Sequence, residues 1–456
     1  MRKEDLDLFR EIAEALVVAE DKQPVVPPIP TEELFSRLSL DLPDQPTPEE
    51  TYRKAVQDLV LATPRTASRE FFNQLFGGRQ SKAVLGDLLA VLLNNSMYTY
   101  KVAGPMVGVE KVILKKVARM IGYPSQADGT LAAGGSMTNF MAMLMARDRK
   151  MPEIRYQGVH QKMLLYTSID SHYSIPKNAA FMGVGRDQIR YIESDEYGRM
   201  IPTALAQQVA DDQAAGERPF FVNATAGTTV MGAFDPIKPL ADICEEYGMW
   251  LHVDGAYCGG VIYSERFKSL VAGLERTASF SFNAHKMLGT PLSCSLILVK
   301  DKKYLYDSFS NEANYLYQTD GDDFNLGKTS LQCGRRNDAL KLWTLWKAVG
   351  TKGLEAMVDH QFDLAQVAID YIQSNSDYTL YSHPDSISVC FNYKGVPAKQ
   401  LCQGLYEEAQ LMVGYGSFRG NTFVRLVTIN AGNEPADILH FFQQLEQYAE
   451  KRLVPA

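Results

Sequence analysis

The 456-residue sequence lacks the features of several common protein classes. Its six cysteines form no CxxC pair and its histidines show no zinc-site spacing, so neither a redox motif nor a zinc module is indicated. No run of about 18 apolar residues is present that could span a bilayer. The net charge is −8 and there is no long basic block, which argues against nucleic acid as a partner, because phosphate binding needs clustered lysine and arginine.

The first twenty residues, MRKEDLDLFREIAEALVVAE, lack the uninterrupted apolar core of a secretory signal. Hydrophobic residues make up 46% of the chain and charged residues 22%, which is an ordinary balance for a globular protein. We therefore predict a soluble, cytoplasmic protein with reduced thiols and no membrane partner.

Patterns at the two ends of the chain indicate separate regions. Apolar residues recur at helical spacing from Leu6 to Leu16, and a second helical segment with Thr31 as its N-cap follows a proline-rich break. Such short helices cannot bury their apolar face alone, so we expect residues 1–60 to form an arm that packs on something larger, such as a second subunit. We assign residues 61–350 to a large domain and 351–456 to a smaller α+β domain.

Short apolar runs alternate with helical stretches between about residue 120 and residue 300. In order, these runs are KMLLYTS, QIRYIE, PFFVNAT, WLHVDGAY, SFSFNAHK and SCSLILVK. The alternation predicts an α/β fold with a mainly parallel sheet. Ligands of such sheets bind outside the carboxyl ends of the strands.

Polar side chains follow four of these runs, at the points where the strands are predicted to end. They are His172, Thr228, Asp254, His285 and Lys286. Upstream, a Gly-Gly-Ser turn at 134–136 leads into a helix, whose first backbone N–H groups suit an anion. Taken singly, each feature also suits an ordinary cap, a turn, a structural histidine or a solvated lysine.

Taken together on one sheet edge, these features suit one class of ligand. An anion cradle, an imidazole that can stack on a ring, a carboxylate and a lysine amine match a phosphorylated, aromatic, cationic aldehyde. Pyridoxal 5'-phosphate has these properties. The segment FNLGKTS at 324–330 resembles the end of a P-loop, but Gly321 and Gly327 are separated by one residue too many for that motif.

Several motifs carry a resemblance to the group II pyridoxal-phosphate-dependent decarboxylases. NAHK matches the Asn-x-His-Lys element of that family, and the other matching motifs are HYS, NATAGTTVMGAFDPI, LHVDGAY and LQCGRRNDALKLWTLWKA. The resemblance extends from about residue 50 to the C-terminus and is strongest to the branch that acts on glutamate, cysteine sulfinate and aspartate. This chain has NAHK, DGAY and TYK where that branch usually has NPHK, DAAW and TYE. These departures remove no catalytic group.

The resemblance implies a fold-type I homodimer with its active sites at the subunit interface. In this family Lys286 would bond to the cofactor, Asp254 would pair with its ring nitrogen and His172 would stack on its ring, while Ala256 would leave room on the other face. The remaining cofactor contacts that the resemblance implies are Gly135, Ser136, Thr228, Asn283 and His285.

The resemblance also implies residues that act on the substrate. Arg425 would hold the carboxylate that is lost, because its guanidinium fork fixes direction as well as charge. Tyr315, on a loop that serves the neighbouring subunit, would donate the proton that replaces the carboxylate. Asn73 and Gln74 would bind a distal acid.

Two further positions bear on the choice of substrate. Phe76 and Tyr98 match the aspartate and cysteine sulfinate enzymes, where glutamate-specific relatives have a small residue and Phe. We therefore predict conversion of aspartate to β-alanine, or of cysteine sulfinate to hypotaurine, ahead of glutamate to 4-aminobutyrate. The alternatives are an aminotransferase, which shares the lysine and the aspartate, and a homologue without activity that serves assembly or binding.

Overall fold

The computed structural model describes residues 2–23, 25, 29–311, 322–408 and 411–452. Its α-helices in chain order are α1 (Lys3–Lys22), α2 (Leu34–Arg37), α3 (Glu49–Ala62), α4 (Ser81–Leu93), α5 (Tyr100–Ala103), α6 (Pro105–Met120), α7 (Gly135–Lys150), α8 (Ile154–Gln157), α9 (Ser174–Phe181), α10 (Pro202–Ala214), α11 (Ile237–Glu246), α12 (Lys303–Phe309), α13 (Ala339–Gln373), α14 (Ala398–Glu407) and α15 (Pro435–Arg452). Its strands are β1 (Asp128–Ala132), β2 (Leu164–Ser168), β3 (Ile189–Ile192), β4 (Pro219–Thr225), β5 (Trp250–Gly255), β6 (Ser279–Asn283), β7 (Ser295–Val299), β8 (Tyr378–Leu380), β9 (Ser388–Tyr393), β10 (Gly414–Phe418) and β11 (Asn421–Val427).

The chain divides into two compact units. The first, called here the Lys286 unit, comprises Arg79–Phe362 and Ser382–Ser386. The second, called the Arg425 unit, comprises Met1–Gly78, Asp363–Tyr381 and Ile387–Ala456.

The limits of these units differ from the predicted limits at residues 60 and 350. Phe72 packs edge-on against Phe441, with ring centroids 5.2 Å apart, and the Asn430 side chain donates a hydrogen bond to the Ser68 carbonyl at 2.8 Å. Both contacts join the segment before Arg79 to the C-terminal part of the chain, so this segment belongs to the Arg425 unit. At the other limit, Phe362 stacks on Phe267 at 3.8 Å, so the middle of α13 remains in the Lys286 unit.

A seven-stranded sheet forms the centre of the Lys286 unit, in the order β1-β7-β6-β5-β4-β2-β3. Strands β2 to β6 pair in parallel, while β7 runs antiparallel to its neighbours β1 and β6. Five of the six predicted runs form the parallel strands and the sixth forms β7, which confirms the α/β fold with a mainly parallel sheet. Strand β1 was not predicted, because its sequence DGTLA begins with residues typical of a turn.

The register of this sheet places several strand ends side by side. Thr225 on β4 pairs with Asp254 on β5, and Asp254 pairs with Ser281 on β6. Helix α7 covers this part of the sheet through buried side chains such as Met141 and Met145. Polar residues that follow the strands are thereby brought to one edge.

The Arg425 unit contains a four-stranded antiparallel sheet in the order β10-β11-β9-β8. Phe391 of β9 packs against Phe441 and Phe442 of α15, which buries the apolar face of that helix. Strands β8 to β11 and helices α14 and α15 give this part of the chain the α+β character predicted for residues 351–456. Thr31 is not an N-cap, however, because α2 begins only at Leu34, and the Thr31 hydroxyl contacts the Glu32 carboxylate instead.

Within the described ranges, no helix combines the length and the apolar content needed to cross a membrane.

Candidate active site

A cavity of about 220 Å³ lies at the carboxyl ends of β4, β5 and β6. Seven of the predicted residues line it: Gly135, Ser136, His172, Asp254, Ala256, Asn283 and Lys286. These residues come from four separate segments of the sequence and meet because neighbouring parallel strands end at the same edge.

Lys286 follows β6 in a tight turn, in which its backbone N–H donates to the Asn283 carbonyl at 3.1 Å. Its Nζ lies 5.8 Å from the centroid of the buried Tyr257 ring. Burial lowers the pKa of the Lys286 amine, and the negative charge of Asp254 opposes that shift. A lowered pKa increases the neutral fraction of the amine, which is the form that attacks an aldehyde.

Asp254 ends β5 with its carboxylate held from two sides. The Ala256 backbone N–H donates to Oδ1 at 3.0 Å, and Nδ2 of Asn139 donates to Oδ2 at 2.6 Å. Each carboxylate oxygen keeps a further lone pair, so the group can still accept a proton donor from the cavity.

His172 is held by the start of α9. Its Nδ1 accepts the backbone N–H of Ser174 at 3.1 Å, so the proton of the neutral ring is on Nε2. Burial lowers the pKa of His172, with Asp254 opposing the shift, which favours an uncharged ring near neutral pH. An uncharged imidazole is suited to stacking beside a cationic ring.

The Gly134–Gly135 turn leaves little free space beside the cavity. Gly134 has φ +112°, which favours glycine, and a Cβ on Gly135 would lie 2.9 Å from the Ala256 Cβ. The first turn of α7 therefore presents its backbone N–H groups without an intervening side chain. Asn283 Oδ1 and Thr225 Oγ1 are buried and accept no hydrogen bond from the described residues. The cavity therefore brings together these two oxygens, the anion-binding turn, the Asp254 carboxylate and the Lys286 amine. This set of groups fits pyridoxal 5'-phosphate.

Two predicted cofactor contacts do not line the cavity. Thr228 Oγ1 accepts the Ala233 backbone N–H at 3.1 Å within its own loop, and its neighbours Gly227 and Thr229 line the cavity instead. His285 accepts the backbone N–H of Cys294 at 2.9 Å, and burial lowers its pKa to about 4. The assignment of these two residues to the cofactor stays a prediction.

The residues predicted to bind substrate are divided between the two units. Asn73, Gln74, Phe76 and Arg425 belong to the Arg425 unit, and Tyr98 belongs to the Lys286 unit. Within the Arg425 unit, Arg425 Nη2 donates to the Asn73 carbonyl at 3.0 Å, which brings two of the predicted residues together. Tyr315 lies outside the described residues. All of these roles stay predictions.

Sequence reasoning missed Asn139, which lines the cavity and contacts Asp254. One signal was available. Asn139 follows Gly135 by four residues, so both lie on the same face of α7. A polar amide at that position, within a helix rich in methionine, indicates a buried hydrogen-bonding role.

Comparison with known families settles the class of this site. A family model described as the pyridoxal-dependent decarboxylase conserved domain matches residues 31–394. The chain belongs to this family. Its cofactor is therefore pyridoxal 5'-phosphate, which when bound accepts the electron pair released as the substrate carboxylate leaves. The predicted family, fold type, cofactor and decarboxylase class are confirmed, and the aminotransferase alternative is not supported.

Individual members of the family are similar over most of their length. Cysteine sulfinic acid decarboxylase of Homo sapiens is 35% identical over 444 residues, which cover 92% of this chain and 90% of that protein. Acidic amino acid decarboxylase GADL1 of Mus musculus is 36% identical over 425 residues, covering 88% of this chain and 77% of that one. The crystal structure of mouse CSAD superposes with a TM-score of 0.93 at 34% identity and covers 97% of both chains.

Proposed function

We propose that this decarboxylase removes the α-carboxylate of a small acidic L-amino acid, with aspartate and cysteine sulfinate preferred over glutamate. The observation that carries the proposal is the cavity that joins Lys286, Asp254 and His172, since it supplies the amine, the carboxylate and the stacking ring that this chemistry needs. The names of the similar proteins, cysteine sulfinic acid decarboxylase and acidic amino acid decarboxylase, support an acidic substrate.

The preference for a shorter acid rests on two aromatic residues. Phe76 is bulky where glutamate-specific relatives have a small residue, and the Tyr98 hydroxyl adds a donor that phenylalanine lacks. A larger side chain shortens the space for substrate, and an added donor suits an acid that reaches less far. Both residues are half-buried, so their side chains keep some access to ligands. Glutamate decarboxylation remains the alternative.

A panel of acidic amino acids tests this proposal. The purified holoenzyme is supplied with aspartate, cysteine sulfinate and glutamate, and the release of CO₂ and of the matching amine is measured for each. Equal amounts of amine and CO₂ are expected, with aspartate or cysteine sulfinate giving the highest kcat/KM. A preference for glutamate, or formation of a keto acid in place of CO₂, would contradict the proposal.

We also propose that the protein is a homodimer. Helix α4 supports this, because apolar side chains remain at least 38% exposed along most of its length: Leu85, Leu88, Leu89, Val91, Leu92 and Leu93. A cluster of exposed leucines is typical of a surface that associates with another protein. A mass near twice 50.9 kDa by light scattering is expected, and Leu89→Lys with Leu92→Lys should reduce it. A wild-type monomer would contradict the proposal.

A cytoplasmic location is part of the same proposal. None of the six cysteines forms a disulfide, and all except Cys333 are buried. Free thiols are typical of reducing compartments. Fractionation of the source cells with a specific antibody tests the location, and recovery outside the cytoplasm would contradict it.

A further inference from the structure

A chain of polar side chains extends from Asp254 away from the cavity. Trp250, His252 and Asp254 alternate along β5, so their side chains share one face of the sheet. Ser279 on β6 is the register partner of His252, and Asn139 reaches the same face from α7. Each of the four residues behind Asp254 is at most 1% exposed.

Four hydrogen bonds connect these residues in series. They join Trp250 Nε1 to Ser279 Oγ at 2.8 Å, Ser279 Oγ to His252 Nδ1 at 2.8 Å, His252 Nε2 to Asn139 Oδ1 at 3.1 Å, and Asn139 Nδ2 to Asp254 Oδ2 at 2.6 Å. We call Trp250, Ser279, His252 and Asn139 the Asp254 relay.

The Asp254 carboxylate determines which atom donates in each hydrogen bond of the relay. A carboxylate only accepts hydrogen bonds, so the Asn139 atom nearest to Asp254 must be the amide nitrogen, and the amide oxygen must face His252. That oxygen needs a donor, so the proton of His252 is on Nε2. Nδ1 of His252 then accepts the Ser279 hydroxyl proton, and the Ser279 oxygen accepts from Trp250, whose indole can only donate. The donors of these four bonds all point toward Asp254, and Asn139 Nδ2 also donates to Ser174 Oγ at 3.1 Å.

The charge state of His252 agrees with this direction. Burial lowers the pKa of His252 to about 4, although Asp254 acts in the opposite sense. The ring is therefore neutral near pH 7 and has one donor and one acceptor, as the relay requires. Among the described residues, the titratable groups that face Asp254 are His172, Lys286 and His252.

We propose that Asn139 is a positioning residue and that the relay behind it fixes the Asp254 carboxylate in the orientation in which it meets the ring nitrogen of the cofactor. A rigid, fully hydrogen-bonded chain limits rotation of the carboxylate, and the donor from Asn139 adds a charge-assisted bond. The role concerns the cofactor end of the site and does not depend on which amino acid is the substrate.

The tautomer of His252 gives a test that needs no activity. The protein is labelled with ¹⁵N-histidine, its ring signals are measured with and without cofactor at pH 7, and His252 is assigned from the signal lost in His252→Gln. The expected result is a neutral ring protonated on Nε2 in both forms. A ring protonated on Nδ1, or a charged ring, would overturn the relay.

Variants of the relay test its effect on the cofactor. Asn139→Leu removes the donor to Asp254 at similar size. It should weaken cofactor binding and lower kcat by about tenfold to a hundredfold, as expected for one lost hydrogen bond to a charged group, with KM changed less than about twofold. The visible absorbance of the bound cofactor should also titrate at higher pH, because a ring nitrogen that holds its proton less well withdraws less electron density from the nitrogen of Lys286.

Histidine variants separate this role from general destabilisation. His252→Gln can still donate to Asn139 and accept from Ser279, so it should keep most of the activity and the absorbance titration, whereas His252→Leu should behave like Asn139→Leu. Leu251→Ala is the control, since Leu251 is equally buried on β5 but faces the other side of the sheet. If His252→Gln and His252→Leu behave alike, or if Leu251→Ala shifts the titration as much, the relay is not a positioning device. If Asn139→Leu fails to fold, the comparison of His252→Gln with His252→Leu still tests the proposal.

Discussion

The Lys286 unit and the Arg425 unit hold their candidate residues in different ways. In the Lys286 unit, Asp254 is buried and its carboxylate accepts two hydrogen bonds, one of them from the backbone. In the Arg425 unit, Arg425 and Asn73 are half-buried and Gln74 is exposed. The residues assigned to the cofactor are thus fixed by the sheet beneath them, while those assigned to the substrate keep more accessible side chains.

This difference indicates a division of labour. A cofactor that is the same in every turnover is best held by rigid strand ends, where each polar atom has a defined partner. Residues that select among similar acids can be replaced more easily if few other contacts of the fold depend on them. Changes in the Lys286 unit should therefore affect the cofactor, and changes in the Arg425 unit should affect substrate binding with the cofactor in place.

The largest effect is expected for Lys286→Ala. Loss of the only amine that lines the cavity among the described residues should abolish turnover and prevent borohydride from fixing the cofactor to the protein. Peptide mapping of the reduced wild type should place the cofactor on Lys286. Lys268→Ala, which changes an exposed lysine of the same unit, is the control and should leave both properties intact. A label on another lysine would remove the basis for the active-site assignment.

The next effect concerns Tyr315, in the segment outside the described residues. Tyr315→Phe should lose amine formation by far more than it loses cofactor binding, because the predicted proton donor to Cα is removed. Protonation at the wrong carbon or reaction with oxygen should then give a carbonyl product. Tyr317→Phe, two residues along the same segment, is the matched control. An unchanged rate and yield of amine for Tyr315→Phe would mean that another group delivers the proton.

Acid should weaken the Lys286 unit more than the Arg425 unit. Burial lowers the pKa of His252 to about 4 and that of His285 to about 4, below the ordinary value of 6.5. Between these values the unfolded chain binds more protons than the folded chain, so the free energy of unfolding falls as pH drops through this range, by about 2 kcal/mol per histidine at pH 5.

Hydrogen exchange at pH 7 and pH 5, corrected for the intrinsic rate, measures this difference. Peptides from β5 and β6 should lose protection, while peptides from β9 and β11, whose strands contain no histidine, should change less. His252→Gln should reduce the loss in the Lys286 unit. Equal losses in both units would contradict the assigned cause.

Sequence patterns predicted the parts of the molecule that have strong periodicity. Apolar runs identified β2 and β4 to β7, which are buried along their whole length, and also β3, which is buried only at its two ends. Patterns failed for β1, whose DGTLA resembles a turn, and for the cap at Thr31, since α2 begins only at Leu34. Lys286 and Asp254 follow strands and were found, whereas Asn139 lies inside a helix and depends on a partner 115 residues away. Its place among apolar residues of α7 indicates burial, but no local pattern identifies Asp254 as its partner.

Arg425→Lys should affect the substrate with the cofactor retained. Lysine keeps the charge but lacks the planar fork that binds a carboxylate with two parallel bonds. We expect kcat/KM to fall by about tenfold to a hundredfold, the range for loss of a hydrogen bond to a charged group, while the cofactor absorbance stays unchanged. Arg419→Lys, in the turn between β10 and β11, is the control. Loss of cofactor in Arg425→Lys would break the proposed division between the units.

The smallest effect is expected from changing Phe76 and Tyr98, the two residues assigned to the choice between shorter and longer acids. Phe76→Ser with Tyr98→Phe replaces both aromatics by the residues usual in glutamate-specific relatives, so kcat/KM for glutamate should rise relative to that for aspartate and cysteine sulfinate. One methylene changes specificity by about 10–200-fold, which sets the upper limit of the shift. Phe71→Leu is the control, because the Phe71 ring lies 6.4 Å from that of Phe76 but is buried in the core. If both aromatics are core residues alone, the double variant will lose stability and keep the wild-type ranking of the three acids, and residues other than Phe76 and Tyr98 must then set substrate length.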